Sequence, residues 1–253
     1  MIIVKSSREL DKMRRAGKLV ASVMRDLERK VAPGVTTAEL DRIAEDEIRH
    51  AGAIPAFKGY RGFPATLCTS VNSQVVHGIP GDDPLVEGEI VSLDLGARVD
   101  GYYGDMAVTL PVGAVSEEVE DLLFAGREAL AAGIEAARPG AHLSDISHAV
   151  QQAAEAAGYS VVRDYTGHGI GRQLHEDPQI LNFGPPGRGP VLKAGMVLAI
   201  EPMVNAGDYR VKTQSDGWTV VTADGELSVH FEHTVAVTAD GPEVLTDSKR
   251  CLT

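Results

Sequence analysis

The sequence predicts a mixed α/β (α+β) fold of two similar halves, each helix, helix and hairpin, around an antiparallel sheet. Three observations predict it. Apolar residues recur at helical spacing in two pairs of segments. Asp100-Gly101 joins two alternating apolar runs, a strong hairpin signal. Landmarks of the first half return in the second at a nearly constant offset.

The first helix opens at Ser6 and Glu9, a capping box, and carries Leu10, Met13, Gly17, Val20, Met24 and Leu27 until Pro33-Gly34 stops it. A second capping box, Thr36 to Glu39, starts a helix with Leu40, Ile43, Ala44 and Ile48 on its buried stripe, ending near Gly52. Residues 53–64 read as loop, with Tyr60 and Phe63 as aromatics. Short strands follow at 65–70 and 74–77, and then the hairpin around Asp100-Gly101. Ser116 is expected to cap a third helix, ended by Pro139-Gly140. A fourth runs from about Ser144 to Ala157 and stops at Gly158. Strands are expected at 159–162, 197–201, 209–213, 218–222 and 228–237, the last two joined at Asp224-Gly225. No linker marks a domain boundary, so residues 1–253 read as one domain, with halves of roughly 1–113 and 114–253.

The repeat is specific. Pro33-Gly34, Leu40 and Gly52 return as Pro139-Gly140, Ile146 and Gly158, each 106 places later. The run from Gly88 to Asp94 returns as Gly195 to Glu201, 107 places later, and Asp105 to Val108 is echoed by Glu232 to Val235. Each half thus ends on acids inside apolar strands.

Composition narrows the function. A net charge of −12 on 253 residues argues against a general nucleic-acid or anionic-membrane binder. Two cysteines, Cys68 and Cys251, without a CxxC pair suit reduced thiols in a cytoplasmic protein. The start, MIIVKSSREL, does not read as a signal peptide, and no apolar run approaches the roughly 20 residues of a membrane span.

A two-residue turn at Asp100-Gly101 would pair Val99 with Tyr102 and Asp94 with Ala107. Asp105, two places from Ala107, then shares a face with Asp94; a longer turn would move this register. Glu201, in MVLAIEPMV, and Glu232, in SVHFEHTVAV, are also acids among apolar strand residues, where an unpaired carboxylate is costly. Two halves packed face to face would gather all four. His168, flanked by Gly167 and Gly169, is the fifth candidate; its run lacks the spacing of a GxGxxG dinucleotide site. Two Asp, two Glu and one His suit a pair of divalent metals, with Mn, Fe, Co and Zn about equally fitting. His77 and His175 read on their own as structural histidines, as do His50, His142, His148, His230 and His233.

The segments 72–80 (NSQVVHGIP), 91–109 (VSLDLGARVDGYYGDMAVT), 165–178 (YTGHGIGRQLHEDP), 200–203 (IEPM) and 230–237 (HFEHTVAV) together closely resemble type I methionine aminopeptidases, over nearly the whole chain. The resemblance implies the pita-bread (creatinase/aminopeptidase) fold, in agreement with the repeat. The chain looks like the short bacterial form: it reads without the zinc-binding N-terminal extension of eukaryotic enzymes. The 31 positions from Glu201 to Glu232 leave no room for the helical insertion of type II.

That resemblance implies two divalent metal ions (Co, Mn, Fe or Zn) held by Asp94, Asp105, His168, Glu201 and Glu232. It implies that a hydroxide bridging them attacks the carbonyl carbon of an N-terminal methionine on a nascent polypeptide, with a small second residue preferred. Glu201 would be the general base, His175 would stabilise the oxyanion, and His77 would hold the scissile amide or the next residue. Tyr60, Phe63, Cys68 and Trp218 match the methionine pocket, where a thioether packs on aromatic edges. Phe63 stands where tyrosine is usual and Leu174 where phenylalanine is usual. A monomer, in transient contact with the ribosome, is the family's expectation, though no basic patch announces that contact. Two competing readings share the fold: proline-specific peptidases, which carry a large N-terminal domain, and a binding module without catalysis, which would usually lack some of the five ligands.

Overall fold

A computed structural model describes residues 1–247; Cys251 lies outside them. Helix α1 spans Ser7–Glu28 and α2 spans Thr37–His50. Both expected capping boxes close. Ser6 N donates to Glu9 Oε2 at 3.0 Å and Thr36 N to Glu39 Oε2 at 2.9 Å, with Glu9 N and Glu39 N returning bonds to the Ser6 and Thr36 hydroxyls. These bonds satisfy donors that a helix start otherwise leaves free.

Helix α3 spans Glu117–Ala136 and α4 spans Leu143–Ala156. Ser116 does not cap α3 as expected: its side chain makes no bond to the helix backbone. The Glu118 carboxylate in the first turn takes the hydroxyl instead. α4 begins one residue early, with Asp145 Oδ2 accepting from His142 N at 2.7 Å.

A mixed chain thus forms helices around a main antiparallel sheet, with two smaller three-stranded sheets. Its strands run in the order Ile54–Pro55, Ile90–Val99, Tyr102–Pro111, Glu232–Thr238, Val197–Ile200, Gly167–Gly169 and Glu176–Ile180. Leu67–Val71 also pairs with Ile90–Val99, and Gly241–Val244 with Glu232–Thr238. The first hairpin has the expected register. Asp100 and Gly101 both take positive φ, 49° and 85°, as a two-residue I′ turn requires. Val99 then faces Tyr102 and Asp94 faces Ala107.

The sequence repeat is a repeat of hydrogen bonds. Gly34 N donates to Leu85 O at 2.8 Å and Gly140 N to Leu192 O at 2.9 Å. Leu85 N donates to Val35 O, and Leu192 N to Ala141 O. The matched glycines Gly34 and Gly140 share φ values of 92° and 93°, and Gly88 and Gly195 share 94° and 93°. Such angles suit glycine, which has no Cβ to clash.

Two further expectations fail. The single strand at 228–237 breaks at Phe231: Ser228–His230 pairs with Met203–Asn205, while Glu232–Thr238 enters the main sheet. Asp224-Gly225 turns the chain, but not between paired strands. Val220–Thr222 pairs with Val211–Thr213 and Gln74–Val76 instead. Residues 167–169 and 176–180, read only as motif, are strands of the main sheet.

Two buried clusters fix the helices on one face of the sheet. Leu93 and Leu95 join Val20 and Met24 of α1 and Leu40 and Ile48 of α2. Leu198 and Ile200 join Leu122 of α3 and Ile146 and Val150 of α4. Each such side chain, fully buried, contributes about 1.5–3 kcal/mol relative to exposure. Strand alternation then turns Asp94, between Leu93 and Leu95, and Glu201, next to Ile200, to the face away from the helices.

Candidate active site

On that face the sheet register gathers the acids. Asp94 and Glu232 both stand opposite Ala107, from the two strands that flank it. Asp105 is two places along from Ala107 and so on the same face. Ile200 faces His233, which sets Glu201 beside Glu232 at the strand end. His168 faces Ala199 on the next strand.

Ligating atoms of Asp105, His168 and Glu232 lie within 4.8 Å of one another, as do those of Glu201, His230 and Glu232. His168 Nε2 is 3.5 Å from Glu201 Oε1. His168 Nδ1 lies 2.9 Å from Gly169 O, so a proton on Nδ1 donates to that carbonyl and leaves the Nε2 lone pair facing the acids. The backbone at Asp105 is pinned to the strand carrying Glu232: Asp105 N donates to Thr234 Oγ1 at 2.9 Å, and that hydroxyl donates to Asp105 O at 2.8 Å.

The electrostatics call for a cation. Asp105, His168 and Glu232 are buried. Burial pushes Asp94 up to about 7. Burial, then the neighbouring carboxylates, pushes Asp105, Glu201 and Glu232 well above the usual carboxylate range. His168 is pushed down to about 4, chiefly by burial, and is neutral at pH 7. Asp94 Oδ1, Glu232 Oε1 and His230 Nε2 are buried with no hydrogen-bond partner. Unpaired buried oxygens of this kind cost free energy unless something positive satisfies them. Hard oxygen donors with one imidazole fit a divalent metal ion.

The adjoining cavity has an apolar wall. Phe63 packs edge-on to Trp218 with centroids 5.2 Å apart, and buried Cys68 pairs across the sheet with Asp94. Burial and the nearby acids push the Cys68 thiol up, so it lines the wall as a neutral group. Leu174 and Phe57 complete the wall. His77 stands edge-on to Tyr165 at 5.6 Å and to Trp218 at 6.4 Å, and burial lowers its pKa. His175 stacks on Tyr60, takes a 2.9 Å bond between Nδ1 and the Tyr60 hydroxyl, and lies 4.2 Å from the His168 ring. All eleven residues singled out in the sequence therefore line one cavity or its rim.

The profile of metallopeptidase family M24 matches residues 11–239. The chain belongs to metallopeptidase family M24. It is 58% identical to the methionine aminopeptidase of Clostridium perfringens, over 97% of this chain and 99% of that one. The crystal structure of methionine aminopeptidase from Rickettsia prowazekii superposes with a TM-score of 0.96 at 47% identity, covering 98% of this chain and all of that one. The prolidase from Pyrococcus furiosus is more distant: TM-score 0.77, 25% identity, and this chain spans 65% of it. This M24 chain is a metal-dependent aminopeptidase with the pita-bread fold.

Sequence reasoning missed one member of this M24 site. His230, taken as structural, is 2% exposed and holds Nε2 3.8 Å from Glu201 Oε2. Its spacing of two from Glu232 would share a face only in an unbroken strand, and the chain breaks between them at Phe231. His233, also taken as structural, does bond away from the site, to Thr246 Oγ1.

Proposed function

We propose that this M24 chain removes methionine from the N-termini of new polypeptides, preferring a small second residue, and that residues 1–253 act as one catalytic unit. Asp94, Asp105, His168, Glu201 and Glu232 hold two divalent ions, with Co, Mn, Fe and Zn all compatible with the donor set. The observation that carries this reading is the junction itself. Five metal-type donors, with a buried oxygen of Asp94 and one of Glu232 left without a hydrogen-bond partner, border an apolar wall of aromatics and one neutral thiol. The apolar wall suits a thioether side chain.

A bound pair of ions would supply an activated water and neutralise charge on the substrate carbonyl oxygen. The chain's residues do the rest. Phe63, Cys68 and Trp218 take the methionine side chain, with Tyr60 at the rim. Glu201, a carboxylate once the ions are bound, would take a proton from the attacking water and return it to the leaving amine. For His175 to donate to the oxyanion through Nε2, its Nδ1, 2.9 Å from the Tyr60 hydroxyl, would accept a hydrogen bond from that hydroxyl. His77, kept neutral by burial, holds the scissile amide.

No helix of the described residues is long and apolar enough to cross a membrane. A chain of this activity works as a cytoplasmic monomer that meets nascent chains near the ribosome.

The competing proline-specific reaction is tested by one panel of peptides with metal-saturated enzyme: Met-Ala-Ser, Met-Leu-Ser and Ala-Pro-Ser. Release from Met-Ala-Ser, weak release from Met-Leu-Ser and none from Ala-Pro-Ser is expected. Preferential cleavage of Ala-Pro-Ser would replace this reading with the proline-specific one.

A further inference from the structure

His175 is exposed at the rim of the cavity, on a six-residue turn between two strands of the sheet. The residue after it, Glu176, is spent entirely on holding that turn. Glu176 Oε1 accepts from Arg172 N at 2.8 Å and Gln173 N at 3.2 Å. Glu176 Oε2 accepts from Lys5 Nζ at 2.8 Å. The two side chains of this ion pair are 3% and 4% exposed.

Lys5 is anchored in turn. Its Nζ also donates to Ile3 O at 3.1 Å, and its backbone N donates to Gly195 O at 2.7 Å, just before the strand that leads to Glu201. Space around the pair is full. A Cβ on Gly171 would lie 2.6 Å from Glu176 Oε1 and 2.6 Å from Lys5 Cε. Gly171 O accepts from Tyr103 N at 2.9 Å, which fastens the turn to the first hairpin.

A buried ion pair adds little net stability, because desolvation offsets its Coulomb attraction. What it adds is a fixed geometry, since each charge tolerates only its partner and the N–H groups aimed at it. The groups fixed here are the backbone donors of the turn that ends at His175. We propose that Lys5 and Glu176 are positioning residues for His175: the pair sets the turn at 171–176 and, through it, where the His175 ring stands over the site. Neither residue lines the cavity. The inference rests on the methionine-releasing reaction, and the wild-type rate measured alongside separates failure of that reading from failure of this one.

The test is a double-mutant cycle on metal-saturated enzyme with Met-Ala-Ser, folding being checked by circular dichroism and metal binding by calorimetry. A misplacement near 1 Å can cost up to about 100-fold in rate, so Glu176→Ala is expected to lower kcat about 10- to 100-fold with KM changed less than about threefold. Glu176→Gln, whose amide oxygen still accepts from Arg172 and Gln173, is expected to fall between wild type and Glu176→Ala. Lys5→Met should resemble Glu176→Gln. In a His175→Ala background, Glu176→Ala should cost less than about threefold more, because the positioned group is already gone. Metal affinity should stay within about threefold of wild type, as expected for an effect routed through His175 rather than the ligands. The proposal is overturned if Glu176→Ala costs the same factor with or without His175, if it changes KM rather than kcat, or if it leaves kcat unchanged. Should Glu176→Ala not fold, Glu176→Gln completes the cycle under the same criteria.

Discussion

Asp94 and Glu232 face the same residue, Ala107, from the strands on either side of it. Cross-strand neighbours of this kind have Cβ atoms about 4.5–5.5 Å apart, so one row of the sheet presents two carboxylates across a methyl group. One oxygen of each is buried and unpartnered. The row is stable with a cation and costly without one.

Asp94 in the folded, metal-free protein is pushed up to about 7 from an ordinary 3.8, and its three neighbours are raised too. A carboxyl whose folded pKa is raised keeps its full stability below the unfolded value and loses it as pH rises through the folded value. Metal-free protein should therefore lose stability from about pH 4 upward to pH 7 and beyond. Metal-loaded protein should run the other way, because the ligands must shed protons to bind. Thermal unfolding between pH 5 and pH 8, with chelator and with metal, should show opposite slopes attributable to this site; parallel curves would refute the account.

Asp94→Asn should separate metal binding from folding. It removes one buried charge from the row, so the chelated variant should unfold at a higher temperature than chelated wild type at pH 8. Metal affinity should fall at least about 10-fold, in the range of lost ligands and their supports. Calorimetric metal titration and thermal unfolding of the same preparations check both halves.

Glu201→Gln should lower kcat by about 100-fold or more at saturating metal, the usual loss when a general base is removed. Steady-state methionine release measures it. An unchanged kcat would remove Glu201 from the role of base and leave it as a ligand alone.

His175→Ala should act on kcat about 100-fold, with KM changed far less, because its hydrogen bond strengthens only as charge develops on the carbonyl oxygen. Trp218→Ala should do the reverse. It strips the edge that packs on Phe63 and should raise KM for Met-Ala-Ser about 10-fold or more with a smaller effect on kcat. Initial rates over a range of peptide concentrations distinguish the two patterns.

What was legible in the sequence was whatever short-range chemistry decides. The Asp100-Gly101 turn fixes its own register, because only a two-residue turn with positive φ at both positions satisfies it, and Asp94 and Asp105 follow. The capping boxes at Ser6 and Thr36 are local for the same reason. The strands Gly167–Gly169 and Met203–Asn205 have three residues each, too few for alternation to show, and are held by partners far away in sequence. The break at Phe231 was hidden because apolar alternation continues through it while the two segments join different sheets. His230 was passed over because its burial beside Glu201 depends on that break. Ser116 looked like a cap, but Glu118 competes for the same hydroxyl. The metal-type donors were legible because each is an acid where an apolar strand would otherwise exclude it.

The most direct measurement is free methionine released from Met-Ala-Ser by chelated protein, before and after Co, Mn, Fe or Zn is restored singly, with Glu201→Gln alongside. The account predicts no release from the chelated protein, release on restoring at least one metal, and none above about one part in a hundred from Glu201→Gln. Release that survives chelation, or folded protein that binds metal and leaves the peptide intact with every metal, would contradict it.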